Sequence, residues 1–342
     1  MSPTAIPGNL ILQSPTASKL ILVNDQRNPA GDAQITYGIT STGGVFNLRS
    51  TGTVDYEVEW GDGTVERSTS NTLAHTYAAG SYVLKIRTAQ QYRPYFSNST
   101  DEDQITSVAL VSDLNVGTNL SRAWLGANNM TDFNAAFGVT TGVVDFSLAW
   151  LNCTSLTSFP LIDTSSATSF QQAWQYCSNI ASFASIDTSS GNNFSYAWFG
   201  CAGLTSFPTL VTSSGTNFQQ TWRNCTGLTS FPLINTSSGT TFQQAWYNCN
   251  SLTDFPADFF DSWTGTPLNS CFVQAWDLCS ALTATSVENI LNSIDTSGQS
   301  APASGVDITI SYNAASGTPN ISTAVTNLKS RGWTITLNGV LQ

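Results

Sequence analysis

Thiols are the groups whose spacing most invites a chemical reading of this sequence. Cys153, Cys177, Cys201, Cys225 and Cys249 recur every 24 residues, Cys279 follows after 30, and Cys271 falls outside the series. A cysteine acts as nucleophile or metal ligand through its thiolate, which a nearby cation, helix N-terminus or metal must favour. No C-x-x-C pair occurs, so neither a zinc knuckle nor a dithiol redox motif is visible. Side chains repeated in register point in parallel, which is poor disulfide geometry. The total of seven also leaves at least one thiol unpaired within a monomer. The cysteines therefore read as buried free thiols packing as small hydrophobes.

Other reactive groups are scarce. His75 is the single histidine, too little for a Ser-His-Asp triad or a multi-histidine metal site. Between residues 140 and 256 the only charged residues are Asp145, Asp163, Asp187, Arg223 and Asp254, a poor host for the two placed carboxylates of a glycosidase. Asp163 and Asp187 hold one repeated position, but Val211 and Asn235 fill it later, so turn stabilisation explains them better than acid–base work. Asp62, within Gly61-Asp-Gly63, reads as a turn former rather than a calcium ligand. Asp101-Glu-Asp103 reads as a solvated linker; a Ca²⁺ clip is the sharper alternative, without any visible Ca²⁺-loop spacing. We expect no catalytic residues, no cofactor and no metal.

The elements that position these groups follow from composition and periodicity. The chain has 342 residues, of which 10% are charged, and a net charge of -11; typical domains carry about 25% charged residues. No basic stripe is present to neutralise phosphates, which argues against a nucleic-acid partner. No apolar run approaches the ~18 residues of a membrane span. The first residues lack the basic and apolar regions of a secretory signal, so export by that route is not expected.

Trp124, Trp150, Trp174, Trp198, Trp222, Trp246 and Trp276 mark seven copies of a unit of about 24 residues. The regular copies carry Phe, Trp and Cys at relative positions -4, 0 and +3, with Ala at -1 except for Thr221, as in Phe170, Ala173, Trp174 and Cys177. On a 3.6-residue period these share one face, so the spacing predicts a short helix in every unit. The following L-T-S-F predicts a short strand ended by Pro160, Pro208, Pro232 or Pro256. Such units cannot bury their apolar faces alone, and stacking them would make a solenoid with internal Trp and Phe ladders. The residue after each Trp varies freely, and glutamine pairs recur three and two residues before it. The candidate binding surface is therefore Gln171, Gln175, Phe199, Gln219, Arg223, Gln243, Tyr247 and Asp277, with Phe199 and Tyr247 expected to be exposed.

The repeat D-T-S-S-x-T-x-F-x-x-A-W-x-x-C-x-x-L-T-S-F over residues 105–283 resembles the BspA-like leucine-rich repeats of bacterial surface proteins, with Phe and Ala-Trp in place of Met and Met-Phe. That resemblance implies a solenoid used for adhesion. Residues 31–104, with W-G-D-G followed by H-T-Y-x-x-x-G-x-Y-x-L-x-I, resemble a PKD-like β-sandwich, in which His75 would be a packing residue. Residues 284–342 read helix, strand, helix, strand, an α/β cap, and N-A-A-S-G-T-P-N with A-V-T-N-L-K-S-R-G-W-T-I-T-L-N-G is similar to segments of bacteriophage structural and tail-fibre proteins. Residues 1–30 read as an extended arm. The expected fold is mixed α/β: arm, immunoglobulin-like sandwich, leucine-rich-repeat solenoid of seven coils, and cap. The expected function is that of a non-enzymatic virion surface protein, a fibre, spike or capsid-decorating protein. It would attach to other virion proteins of capsid or tail through its N-terminal region and offer its repeats to a host-surface glycan or protein or to a second copy. The alternative is a bacterial cell-surface adhesin.

Overall fold

The computed structural model describes residues 35–342 except 53, 97–99, 111–113, 137 and 304–305. The arm expected over 1–30 lies outside the described residues. The described chain is mostly β, with only two α-helices, and this overturns the expected mixed α/β class.

Strict alternation builds the first sheet. In β2 (Tyr56–Glu59) Tyr56 and Val58 point into the core, while Glu57 and Glu59 face Arg87 and Lys85 across the ladder. With β1 (Ile35–Arg49), β3 (Val65–Ser68), β4 (Thr72–Arg87), β5 (Ile105–Leu110) and β6 (Asp132–Ala135) it forms one six-stranded sheet in the order β3-β2-β4-β1-β5-β6. A single sheet replaces the expected sandwich. The physical reason is that β5 pairs antiparallel with β1 on one side and parallel with β6 on the other. The sheet thus runs on into the first repeat instead of a second sheet closing over it.

Among the described residues the repeats contain no α-helix. Around Trp150, Ala149 N donates to Phe146 O, Leu151 N to Leu148 O, Cys153 N to Trp150 O and Leu156 N to Cys153 O. The intervening donors reach the next unit: Phe146 N to Ser169 O, Leu148 N to Gln171 O, Trp150 N to Ala173 O and Asn152 N to Gln175 O. Leu148 and Asn152 have φ of 62° and 64°. Positive φ at the third residue of a four-residue turn is the type II pattern and cannot occur inside an α-helix. The same two places, two before and two after Trp, have positive φ in all seven units, from Arg122 and Gly126 to Gln274 and Leu278. Consecutive turns closed every three residues keep Phe, Ala, Trp, Cys and Leu on one side, which is why the spacing resembled a helical face. The strands are equally reduced: β7 (Ser158–Phe159) and β8 (Ser182–Phe183) have two residues each, and the other units are joined by single parallel bridges such as Asn193↔Asn217 and Ser230↔Asp254. The expected strand-and-helix solenoid of leucine-rich type is therefore replaced by a stack of turns.

The core of this stack is aromatic. Neighbouring indoles from Trp124 to Trp276 lie 5.1–6.1 Å apart with planes within 21° of parallel. Each indole meets phenyl rings edge-to-face, as Trp174 does with Phe159 and Phe183 at 5.1 and 4.8 Å. The indole N–H groups from Trp150 to Trp276 are buried with no oxygen acceptor among the described residues. Buried hydroxyls tie the units along the stack: Thr140, Thr164, Thr188, Thr212 and Thr236 donate to the carbonyls of Asp163, Asp187, Val211, Asn235 and Phe259.

The C-terminal segment closes the far end. Helix α1 (Ala284–Thr296) starts at Thr283, whose hydroxyl accepts from Ser286 N. Ser286 and Ser293 turn back to accept from Phe255 N and Phe260 N, backbone donors that no further unit reaches. Strand β9 (Val306–Ile310) lies parallel beside Trp276, taking its N–H at Thr309 O and returning Ser311 N to its carbonyl. Helix α2 (Ser322–Ser330) then crosses to β10 (Trp333–Leu337), parallel to β9, and β11 (Val340–Leu341) forms the edge.

Candidate functional site

The turns place the residues two before, one after and two after each Trp in one cluster. Left-handed φ at the flanking positions forces the chain outward there, so the residue between them is held on rigid backbone. In the middle units this brings Tyr176, Tyr196, Phe199, Gln220, Arg223, Gln244 and Tyr247 together through direct contacts, while Gln172 and Gln175 pair with each other. Gln172 Nε2 donates to Gln175 Oε1 at 2.7 Å, Gln220 Nε2 to Tyr196 Oη at 3.1 Å, and Gln244 Nε2 to Gln274 Oε1 at 2.7 Å. Tyr176 packs edge-to-face on Phe199 at 5.1 Å. The Arg223 guanidinium lies 4.4 Å from the centre of the Tyr247 ring and 5.7 Å from that of Phe199, and its Nη1 donates to Gln244 Oε1 at 2.5 Å.

The sequence-derived candidates divide. Arg223 and Tyr247 sit half-buried at the centre of this ridge. Gln175 and Phe199 are part of it but only 8% exposed, which corrects the expectation that Phe199 is exposed; Tyr176 and Tyr196 cover it. Gln219 and Gln243 bond to each other at 3.0 Å, forming with half-buried Gln171 a row one residue further from Trp. Asp277 is turned to the cap, where its Oδ1 accepts from Leu278 N and Ser311 Oγ. The second glutamine of each pair and the tyrosines two residues from Trp were not singled out in sequence, although the pairing of glutamines pointed to them.

The thiols are not reagents. All seven are free and buried. Cys177 Sγ donates to Trp150 O at 3.1 Å, and the other regular cysteines do the same to the Trp of the preceding unit. Burial pushes their titration well above the ordinary thiol range, so each stays S–H at neutral pH.

His75 and Asp62 form a turn staple. Asp62 Oδ1 accepts from Thr64 N and Thr64 Oγ1, its Oδ2 lies 2.7 Å from His75 Nε2, and the imidazole stacks on Trp60 at 4.5 Å. The Thr64 hydroxyl, then its N–H, then His75 hold the Asp62 carboxyl down at about 2. The acidic run is not a solvated linker, since Asp101 and Glu102 are buried. Asp101 accepts from Asn47 N, Asn47 Nδ2 and Arg49 Nη2, and Asp103 accepts from Asn128 Nδ2, so the run ties β1 to the first repeat. Asp163, Asp187 and Asn235 each accept the N–H two residues on, the Asx-turn geometry. Among the described residues no group of three or more His, Cys, Asp or Glu side chains is arranged to hold a metal, and no helix is long and apolar enough to cross a membrane.

No protein-family model matches the chain, and no curated protein and no solved structure matches it either.

Proposed function

We propose that this chain is a binding protein of the bacteriophage particle surface, a fibre, spike or capsid-decorating protein that displays the ridge beside the Trp ladder to a host-surface glycan, a host protein or a neighbouring subunit. The observation that carries the reading is the ridge itself: tyrosine, glutamine and arginine side chains held by left-handed turns on a stack whose interior is a continuous aromatic ladder. Rigid backbone under variable polar and aromatic side chains suits recognition, because little conformational entropy is lost on binding. The particle setting rests on the resemblance proposed for the C-terminal sequence, N-A-A-S-G-T-P-N with A-V-T-N-L-K-S-R-G-W-T-I-T-L-N-G.

Immunogold labelling of intact particles made from the genome that carries this gene tests the setting. Label on particles is the expected result; label confined to the bacterial envelope would move the chain to a cell-surface adhesin. Attachment of purified protein to host cells tests the ridge, and Tyr176→Ala and Tyr247→Ala should weaken it while Leu161→Ala, an exposed residue elsewhere on the stack, should not.

A further inference from the structure

Arg223 is the one cation on the stack between residues 140 and 256, in a chain of net charge -11. Arg49, Arg67, Arg87 and Arg331 each have a carboxylate partner within 4 Å. Arg223 has none among the described residues. Its guanidinium is nevertheless held in place: Tyr247 supports one face at 4.4 Å, and Nη1 sits 2.5 Å from Gln244 Oε1 and 3.5 Å from Gln220 Oε1. Nε is buried with no acceptor, and Nη2 donates to no described residue. A cation held over an aromatic ring, with neutral amides in place of carboxylates, keeps its charge and its Nη2 donors for something outside the chain.

From this geometry we infer that Arg223 is the centre of a subsite for a carboxylated saccharide, a specificity that rests on the ridge being the binding surface. A charge-assisted hydrogen bond from Nη2, added to the attraction of the guanidinium charge, suits a carboxylate oxygen. The surrounding groups select a sugar over an acidic peptide. Gln172, Gln220, Gln244 and Gln274 offer paired amide donors and acceptors suited to neighbouring hydroxyls, and Tyr176, 44% exposed, offers a ring for the C–H face of a pyranose. A protein partner would instead want a desolvated apolar pocket for an anchor side chain, and the ridge residues are amides, phenols and a cation.

The test uses the full chain with three probes: hexagalacturonate, a hexamer of sialic acid, and poly-glutamate of similar charge, each saccharide also as its methyl ester. The expected result is binding of at least one acidic hexamer, weakened about tenfold or more by esterification and to a similar degree by Arg223→Gln, with partial retention in Arg223→Lys. An unchanged thermal unfolding midpoint for Arg223→Gln shows that the loss is not unfolding. Equal affinity for acid and ester, indifference to Arg223→Gln, poly-glutamate bound as tightly as the sugars, or no binding of any probe overturns the inference. If host-cell attachment still depends on Tyr176 and Tyr247 in those cases, only the carboxylate specificity fails; if it does not, the ridge reading fails with it.

Discussion

Trp174→Ala should be among the most damaging single truncations in the chain. The ring is fully buried, stacked on Trp150 at 5.5 Å and Trp198 at 5.3 Å, with planes 1° and 11° from parallel. Phe159 and Phe183 pack against it edge-to-face. Truncating a buried Trp costs about 3–5 kcal/mol, more where the surroundings cannot collapse. Here the rings above and below are held in register by the Trp174 N to Ala197 O and Trp150 N to Ala173 O bonds, so relaxation is limited and the cost should lie near about 5 kcal/mol. Trp174→Phe separates packing from polarity. It loses part of the ring but also removes an indole N–H without an acceptor, and relief of an orphaned buried donor is worth roughly 1–3 kcal/mol. The net cost should be about 1–2 kcal/mol. Guanidinium unfolding of the full chain, followed by far-ultraviolet circular dichroism, measures both. A cost below about 2 kcal/mol for the alanine variant would refute the ladder as the stabilising core. Equal costs for the two variants would refute the claim that the indole N–H groups lack partners.

Three further outcomes follow from local geometry. All seven thiols should be silent to a thiol reagent in the native protein and all should react after denaturation; a denatured count lower by two would reveal a disulfide. Gly239→Ala should lower the unfolding free energy by about 1–3 kcal/mol, because its new Cβ would fall 2.3 Å from Phe242 Cζ and 2.8 Å from Phe242 Cε2, whereas Ala167→Gly at the equivalent place should cost less. Asp62, held at about 2 against an ordinary 3.8, contributes stability that is complete above the ordinary value and is lost as pH falls through the folded one. The difference in melting temperature between wild type and Asp62→Asn should therefore be constant above about pH 5 and shrink toward pH 2; a difference independent of pH would remove the staple.

Which side chains fill the core was legible in the sequence, and the backbone that presents them was not. Trp, Phe and Cys at fixed intervals identify the buried ladders, because few other arrangements need the same large side chain at every repeat. The C-terminal elements at Ala284–Thr296, Val306–Ile310, Ser322–Ser330 and Trp333–Leu337 follow the helix, strand, helix, strand order read from the sequence. The turns were missed because a closure every three residues and a helical face of 3.6 residues place Phe, Ala, Trp and Cys on the same side. One signal could have separated them. The place two after Trp holds Gly126, Asn152, Gly200, Asn224 and Asn248, residues that tolerate left-handed φ, and a helix interior would disfavour them. The place two before Trp hides the pattern, since Gln172, Gln220, Gln244 and Tyr196 have no preference for that region. Their strain, about 1–2 kcal/mol each, is offset by the hydrogen bonds that the next unit supplies. Such bonds exist only in the stack, so no local propensity could announce them. The single sheet at the N-terminal end escaped for a related reason: its extent depends on β5 meeting β6, a pairing of residues 25 apart in sequence between Ser107–Leu110 and Asp132–Ala135.

The shortage of charge has the same origin as the stack. Parallel bridges set equivalent side chains of adjacent units about 4.8 Å apart. Two like charges at that distance repel by roughly 3 kcal/mol at an effective dielectric constant near 20. Repeating a lysine or glutamate through seven units would multiply that penalty, whereas serine, threonine and asparagine gain from the proximity. Ser190, Ser214 and Ser238 donate to Ser165, Ser189 and Ser213 carbonyls, and Asn248 donates to Asn224 Oδ1. A charge can persist on such a surface only where the neighbouring units place something neutral beside it. Arg223 satisfies this condition with Phe199 on one side and Tyr247 on the other at the equivalent position. The stack explains why polar, uncharged residues replaced the usual charges, but it does not require this arginine. A positive charge kept where the architecture needs none, and left without a carboxylate among the described residues, is therefore better explained by what the surface binds than by what holds it together.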